Sequence, residues 1–344
     1  MPSLISIHAP GPDAPTRHEL QTLESIWASQ DKVTDRRIDF IDKSMRWHQP
    51  LPGVTADDVA AMFQRLLAWP AWVRLFARPP HAVLAASHLA RQRGLNPGVR
   101  WVAPGTGAPF DPPKGPPGVD ILRADWASGA AEVQRAAARA KSQGLVLVVD
   151  ESLTGFRLSR RGAVEAFGLE PDAVLMAIDL PGGASAAILA GIGEPPRKAA
   201  AAPDAEVLAH LAGLARWLGE FDLAGRLNDL GRGLEVGLNF FRRKAMLDAE
   251  LFVERPWALP RLGGKRVWAF MELAREEGLL MDKMVMLDAG LDLEVMQRLV
   301  WPRLARAVAR LRVLPEGQKA PGGWREAGPT AKRIGLDELL PAQK

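Results

Sequence analysis

Residues Gly144 to Arg157 read GLVLVVDESLTGFR. Leu145 to Val149 form an unbroken apolar run, β-branched at Val146, Val148 and Val149, bounded by Gly144 on one side and the acidic pair Asp150 and Glu151 on the other. Such a run predicts a strand buried on both faces of a parallel sheet. Ligands of open α/β sheets bind beyond the carboxyl ends of these strands, and Asp150 stands at that end. Asp150 and Glu151 are therefore candidate acid–base groups. They also have a purely structural reading, because a carboxylate at a strand end accepts backbone N–H groups or pairs with arginine, and Arg157, Arg160 and Arg161 lie close in sequence.

Composition sets the outer limits. A chain of 344 residues, 47% hydrophobic and 24% charged, is long enough for a large core and for two domains. It has no cysteine, which excludes disulfides, thiolate metal sites and cysteine nucleophiles. It also has no tyrosine, so little titrates between the carboxylates and lysine, and a net charge of only +4 yields an isoelectric point near 9.6. The 44 basic residues are scattered among 40 acidic ones, without the concentrated patch that nucleic-acid binding needs. No apolar run approaches the roughly 18 residues required to span a bilayer. The opening MPSLISIHAPGPDAP is interrupted by proline and histidine where a signal peptide would be apolar, so the expected compartment is the cytoplasm.

Outward from the central run, the chain alternates helical and strand patterns. Asp35 to Asp42 alternates like a strand, and Thr55 to Leu67 reads as a helix capped by Thr55, with Val59, Met62, Phe63 and Leu66 as its apolar positions. Val73 to Arg91 reads as strand, turn and helix. Val99 to Ala103 and Val119 to Trp126 read as strands, and Gly129 to Lys141 as an alanine-rich helix. The Pro/Gly segment from Pro104 to Gly118 is a connecting loop. Later come helices from Val207 to Leu218, Phe221 to Leu247 and Gly264 to Gly278, a short strand at Val285 to Leu287, and a helix from Leu293 to Leu311 kinked at Pro302. His81 and His88 share a helix face, but without a third ligand they do not make a metal site.

The passage VVDESLTGFRLSRRGAVEAFGLEPDAVLM, Val148 to Met176, resembles the class III, fold-type I, pyridoxal-phosphate aminotransferases, and most closely their glutamate-1-semialdehyde aminomutase branch. The Asp-Glu-x-x-Thr-Gly-Phe-Arg motif, the Gly-Ala and Phe-Gly stretch and the following Pro-Asp share the family spacing. Framework positions match over about residues 73 to 313, with a gap after Gly107, and most strongly from Asp150 to Gly191. The resemblance implies an α/β fold. A large, mostly parallel sheet domain with helices on both faces would span 56–245, with a smaller α+β domain built from 1–55 and 246–315, and a Pro/Gly-rich tail at 316–344.

The same resemblance assigns cofactor positions. Asp150 falls on the carboxylate that pairs with the pyridine nitrogen. The phosphate cup falls on Ala77 to Ala82, where Pro79 and Pro80 remove two N–H donors and only Arg78 offers an anion contact. The stacking aromatic pair falls on Thr106 and Gly107, and the threonine that reaches the partner's phosphate falls on Ala202. The aldimine lysine stands six residues after the Asp of Pro-Asp, at Ile178. Isoleucine neither forms an imine nor moves a proton. Lys198, the nearest lysine in sequence, belongs to a surface loop.

These residues predict a non-catalytic aminotransferase-like protein with a vestigial Asp150 and no bound coenzyme. It would act as a homodimeric scaffold, regulatory subunit or ligand-binding protein, without nucleic-acid or membrane partners. Two alternatives stay open: an aminotransferase- or aminomutase-like enzyme of altered chemistry that uses Asp150 and Glu151 and retains pyridoxal phosphate, and a partner subunit of an active aminotransferase.

Overall fold

The computed structural model describes residues 38–39, 48–102, 116–124, 129–180, 185–197, 202–248, 250–254, 260–280 and 293–315. In chain order the elements are β1 (Ile38–Asp39), α1 (Ala56–Leu67), β2 (Trp72–Phe76), α2 (Pro79–Gln92), β3 (Val99–Val102) and β4 (Val119–Arg123). There follow α3 (Ala130–Ser142), β5 (Val146–Asp150), α4 (Gly162–Ala166), β6 (Ala173–Asp179), β7 (Ser185–Gly191), α5 (Ala205–Glu220) and α6 (Leu223–Lys244). The chain ends with β8 (Phe252–Glu254), β9 (Arg261–Gly263), α7 (Val267–Glu276), β10 (Leu279–Leu280), α8 (Leu293–Val295) and α9 (Trp301–Val313). Two compact units result, one from Met45–Gly225 and the other from the described residues of Met1–Ser44 and Arg226–Lys344.

In the first unit, α1 begins where its sequence says it should. The Thr55 Oγ1 accepts from the Asp58 N–H at 3.2 Å, and the Asp58 carboxylate accepts the Thr55 N–H at 2.9 Å, a reciprocal capping box. Val59, Phe63 and Leu67, four apart, carry the buried face, while Met62 and Leu66 are only half-buried. Ala68, in the left-handed region at φ 61°, ends the helix.

Six strands form one sheet in the order β2-β7-β6-β5-β4-β3. The β3–β4, β4–β5 and β5–β6 pairs are parallel, whereas β7 is antiparallel to both β6 and β2. All five residues of β5 are buried. Val146 and Val148 share a cluster with Phe76, Ile121, Leu175, Leu189 and the α2 residues Ala82, Ala86 and Ala90. The alternate residues Leu147 and Val149 face the other way and are equally buried. Alanines on α2 bring the helix backbone close to the sheet, and each fully buried Val or Leu contributes about 1.5–3 kcal/mol.

The Asp of Pro-Asp has a structural task. The Asp172 carboxylate accepts the Leu147 N–H at 2.8 Å and pairs with Arg93 at 2.7 Å, which ties the start of β6 to β5 and to the end of α2.

The second unit rests on α6, whose Leu227, Leu230, Leu234, Leu238 and Phe241 recur at helical spacing and are buried. Gly237 makes room for the Trp301 indole, since a Cβ there would lie 2.6 Å from Nε1. Arg266 joins α7 to the end of α9, donating to the carbonyls of Leu311 at 2.6 Å and Leu314 at 2.7 Å.

Several sequence expectations shift in position. The alternating stretch from Asp35 to Asp42 contributes the two residues of β1 among the described residues, paired in parallel with β10 at Leu279–Leu280. The strand expected at Val285 to Leu287 lies outside the described residues. The break in the last helix is a π-helical stretch, Met296–Val300, directly before Pro302. That widened turn accommodates a proline that has no N–H to give to the preceding turn. The first compact unit ends at Gly225, near the start of α6.

Candidate functional site

The carboxyl ends of β2, β4, β5 and β6 lie on one edge of the sheet, together with the start of β7. Registers fix their heights: Arg123 is level with Asp150, Asp150 with Leu175, and Ile178 with Ala186. The first turn of α2 follows β2 at the same edge, because Phe76 is level with Ala187. Asp150, Ile178 and the start of α2 are thus on the side of the sheet where the sequence places them.

Asp150 is buried and already engaged. Its Oδ1 accepts the Ser152 N–H at 2.9 Å, and its Oδ2 forms an ion pair with Nε of Arg123 at 3.3 Å. The arginine anticipated from sequence proximity was Arg157, Arg160 or Arg161; the register of β4 against β5 supplies Arg123 instead. Arg157 is itself buried and aims its guanidinium at the Ser152 and Gly155 carbonyls, each at 3.4 Å. Arg160 donates to the Gly219 carbonyl at 3.1 Å.

Glu151, only 2% exposed, organises the turn between β5 and α4. Its carboxylate accepts the Thr154 hydroxyl at 2.5 Å and the Val164 N–H at 3.0 Å, while its own N–H donates to the Leu175 carbonyl at 2.7 Å. Burial pushes the Glu151 carboxyl up to about 7, and the charge of Asp150 adds to the rise; the N–H groups of Ala163 and Val164 and the Thr154 hydroxyl oppose it. Two glycines are required here. A Cβ on Gly155 would lie 2.7 Å from the Glu151 carbonyl oxygen, and one on Gly162, at φ +71°, would lie 2.6 Å from the Glu151 carboxylate. The Asp-Glu-x-x-Thr-Gly-Phe-Arg segment is therefore a self-contained turn in which every polar member has a partner.

Ile178 is 3% exposed and hydrogen-bonded within β6–β7. At the start of α2, Pro79 and Pro80 occupy the first helical positions, Arg78 at the cap makes no side-chain capping bond, and the His81 N–H is spent on the Arg78 carbonyl at 3.1 Å. Arg78 and Ala202 are exposed. Thr106, Gly107 and Lys198 lie outside the described residues. Among the described residues no group of three or more histidine or carboxylate side chains is placed to hold a metal. No helix among them is long and apolar enough to cross a membrane.

An omega-transaminase from Sphaerobacter thermophilus superposes with a TM-score of 0.59 over 79% of this chain and 86% of its own, at 16% identity. The fold is that of the fold-type I aminotransferases. In sequence the chain is similar to glutamate-1-semialdehyde 2,1-aminomutases: it is 35% identical to that of Thermus thermophilus over 140 residues and 38% identical to that of Myxococcus xanthus over 108. These matches take in 38% and 28% of this chain, and 31% and 25% of those proteins, so the chain spans about a third or less of the curated relatives it matches. No family model matches.

On an aminotransferase frame, the residues present do not fit pyridoxal phosphate. The carboxylate that would face a ring nitrogen is held by Arg123 and Ser152. The helix start that would cradle a phosphate has prolines at two donor positions, and its third N–H is taken. The position that would carry the lysine holds a buried isoleucine. Arg123 and Ser152 are the residues that sequence reading overlooked. Sequence reading ran the strand that holds Arg123 on to Trp126, whereas in the structure it ends at Arg123, level with Asp150.

Proposed function

We propose that the chain is a non-catalytic protein built on the aminotransferase frame, free of pyridoxal phosphate and serving as a homodimeric scaffold, regulatory subunit or ligand-binding protein. The observation that carries this reading is the Arg123–Asp150 ion pair. In a coenzyme site the carboxylate would be matched by a protonated ring nitrogen; here the protein itself supplies the positive charge, from the adjacent strand. A guanidinium stays protonated at any accessible pH, so the pair does not open by titration of the arginine. Burial of Ile178 supports the same conclusion, because no amine stands where an imine would form.

The acid–base alternative is weakened by geometry. A perturbed carboxylate at a strand end is a common mark of an active site, yet both Glu151 oxygens accept hydrogen bonds inside a sealed turn. A substrate would have to unfold that turn to reach them.

The deciding experiment is an absorption spectrum of the purified full-length chain, before and after incubation with pyridoxal phosphate and removal of the excess. The expected result is no aldimine band and no retained coenzyme. A persistent band that vanishes on reduction, with a label on any side chain, would overturn the proposal. Sedimentation equilibrium tests the dimer separately.

A further inference from the structure

The ends of α1 and α5 and the turn between β5 and α4 border an open cleft of about 380 Å³. Four exposed arginines line it, Arg65, Arg160, Arg161 and Arg216, against the single acidic residue Glu220. A hollow of about 340 Å³ adjoins it and shares Arg160, Gly219 and Glu220. The cleft does not include Asp150, Glu151, Ile178 or the start of α2.

Several arginines of this unit are matched to carboxylates, among them Arg93–Asp172, Arg100–Asp120 and Arg123–Asp150. Among the described residues the four cleft arginines form no ion pair, and Arg160 is instead fixed by the Gly219 carbonyl at 3.1 Å. Arg65 has a local reason for its place, since a cation in the last turn of α1 complements the helix dipole. Arg161 does not. It precedes the five-residue α4, its side chain makes no capping bond, and it is its backbone N–H that donates to the Glu165 carboxylate, at 3.3 Å. Four like charges gathered around one cleft with a single acidic residue point to an external countercharge.

We propose that this cleft binds a small polyanion, one that carries two or more phosphate or carboxylate groups. The guanidinium fork matches both groups bidentately. The cleft volume falls in the range of small-molecule sites, about 300–1,000 Å³; the adjoining hollow, which carries Glu220 and Asp222 beside Arg160, is not part of the proposed site. This inference stands whether or not the Asp150 edge holds a coenzyme.

Isothermal titration of the full-length chain with pyrophosphate and with citrate, at low and at high salt, tests the inference and separates phosphate from carboxylate recognition. At least one of the two is expected to bind saturably, at one site per chain, and more weakly as salt rises. The doubly substituted R161Q/R216Q variant should keep its circular dichroism and weaken binding by at least about fivefold, the worth of one exposed charge contact. The R135Q/R139Q variant, which removes the same charge from the exposed side of α3, should bind as wild type does. Absence of saturable binding, equal weakening in both variants, or tighter binding of hexaglutamate than of either small anion would overturn the proposal, the last by making the cleft a docking surface for acidic peptide.

Discussion

Replacing Glu151 by glutamine is expected to change how stability depends on pH more than stability itself. The carboxyl is buried and its folded-state value lies near 7, against an ordinary 4.5. A raised carboxyl binds its proton more tightly in the folded chain than in the unfolded one. Its contribution is therefore most favourable below pH 4.5 and is lost as pH rises through 7. The interval corresponds to roughly 3 kcal/mol. Glutamine keeps the shape: its oxygen can accept the Val164 N–H, its amide can donate to the Thr154 hydroxyl, and it does not titrate. Urea denaturation of both proteins at pH 5 and pH 8 isolates the effect, because every other ionisable group is common to the pair. The variant should gain about 2.5 kcal/mol relative to wild type on going from pH 5 to pH 8. A difference that stays constant within about 1 kcal/mol across this range would refute the account of Glu151 as a sealed, proton-binding anchor.

Arg123→Ala leaves the Asp150 carboxylate buried without its guanidinium. With Arg123 about a quarter exposed, a loss of about 2 kcal/mol is expected, and the double variant R123M/D150N should recover most of it in a denaturation cycle. Gly162→Ala combines a strained φ of +71° with a Cβ only 2.6 Å from the Glu151 carboxylate. It should cost about 2 kcal/mol or more, read as a lowered melting temperature. Ile178→Lys places an amine at a site that is 3% exposed and should destabilise by about 2 kcal/mol or more, less so at high pH where the amine is neutral. Its spectrum with added pyridoxal phosphate should still lack an aldimine band, because Arg123 and the proline turn remain.

The run from Leu145 to Val149 was sufficient to place a buried parallel strand ending at Asp150, since an unbroken apolar run between a glycine and two charges has few other homes. Identities at single positions were equally legible. Isoleucine at 178 and prolines at 79 and 80 state their chemistry wherever they sit, because an imine needs an amine and a phosphate cradle needs N–H groups. The fold and the edge of the sheet could thus be read along the chain. The tasks of the remaining groups could not. Arg123 reaches Asp150 through the register of β4 against β5, from 27 positions away, and Glu151 becomes a sealed anchor through a turn that folds back on it. The arginine cleft is assembled from residues between 65 and 216. Strand register and the meeting of helix ends are set by long-range packing, which leaves no local pattern in the chain for any of these three.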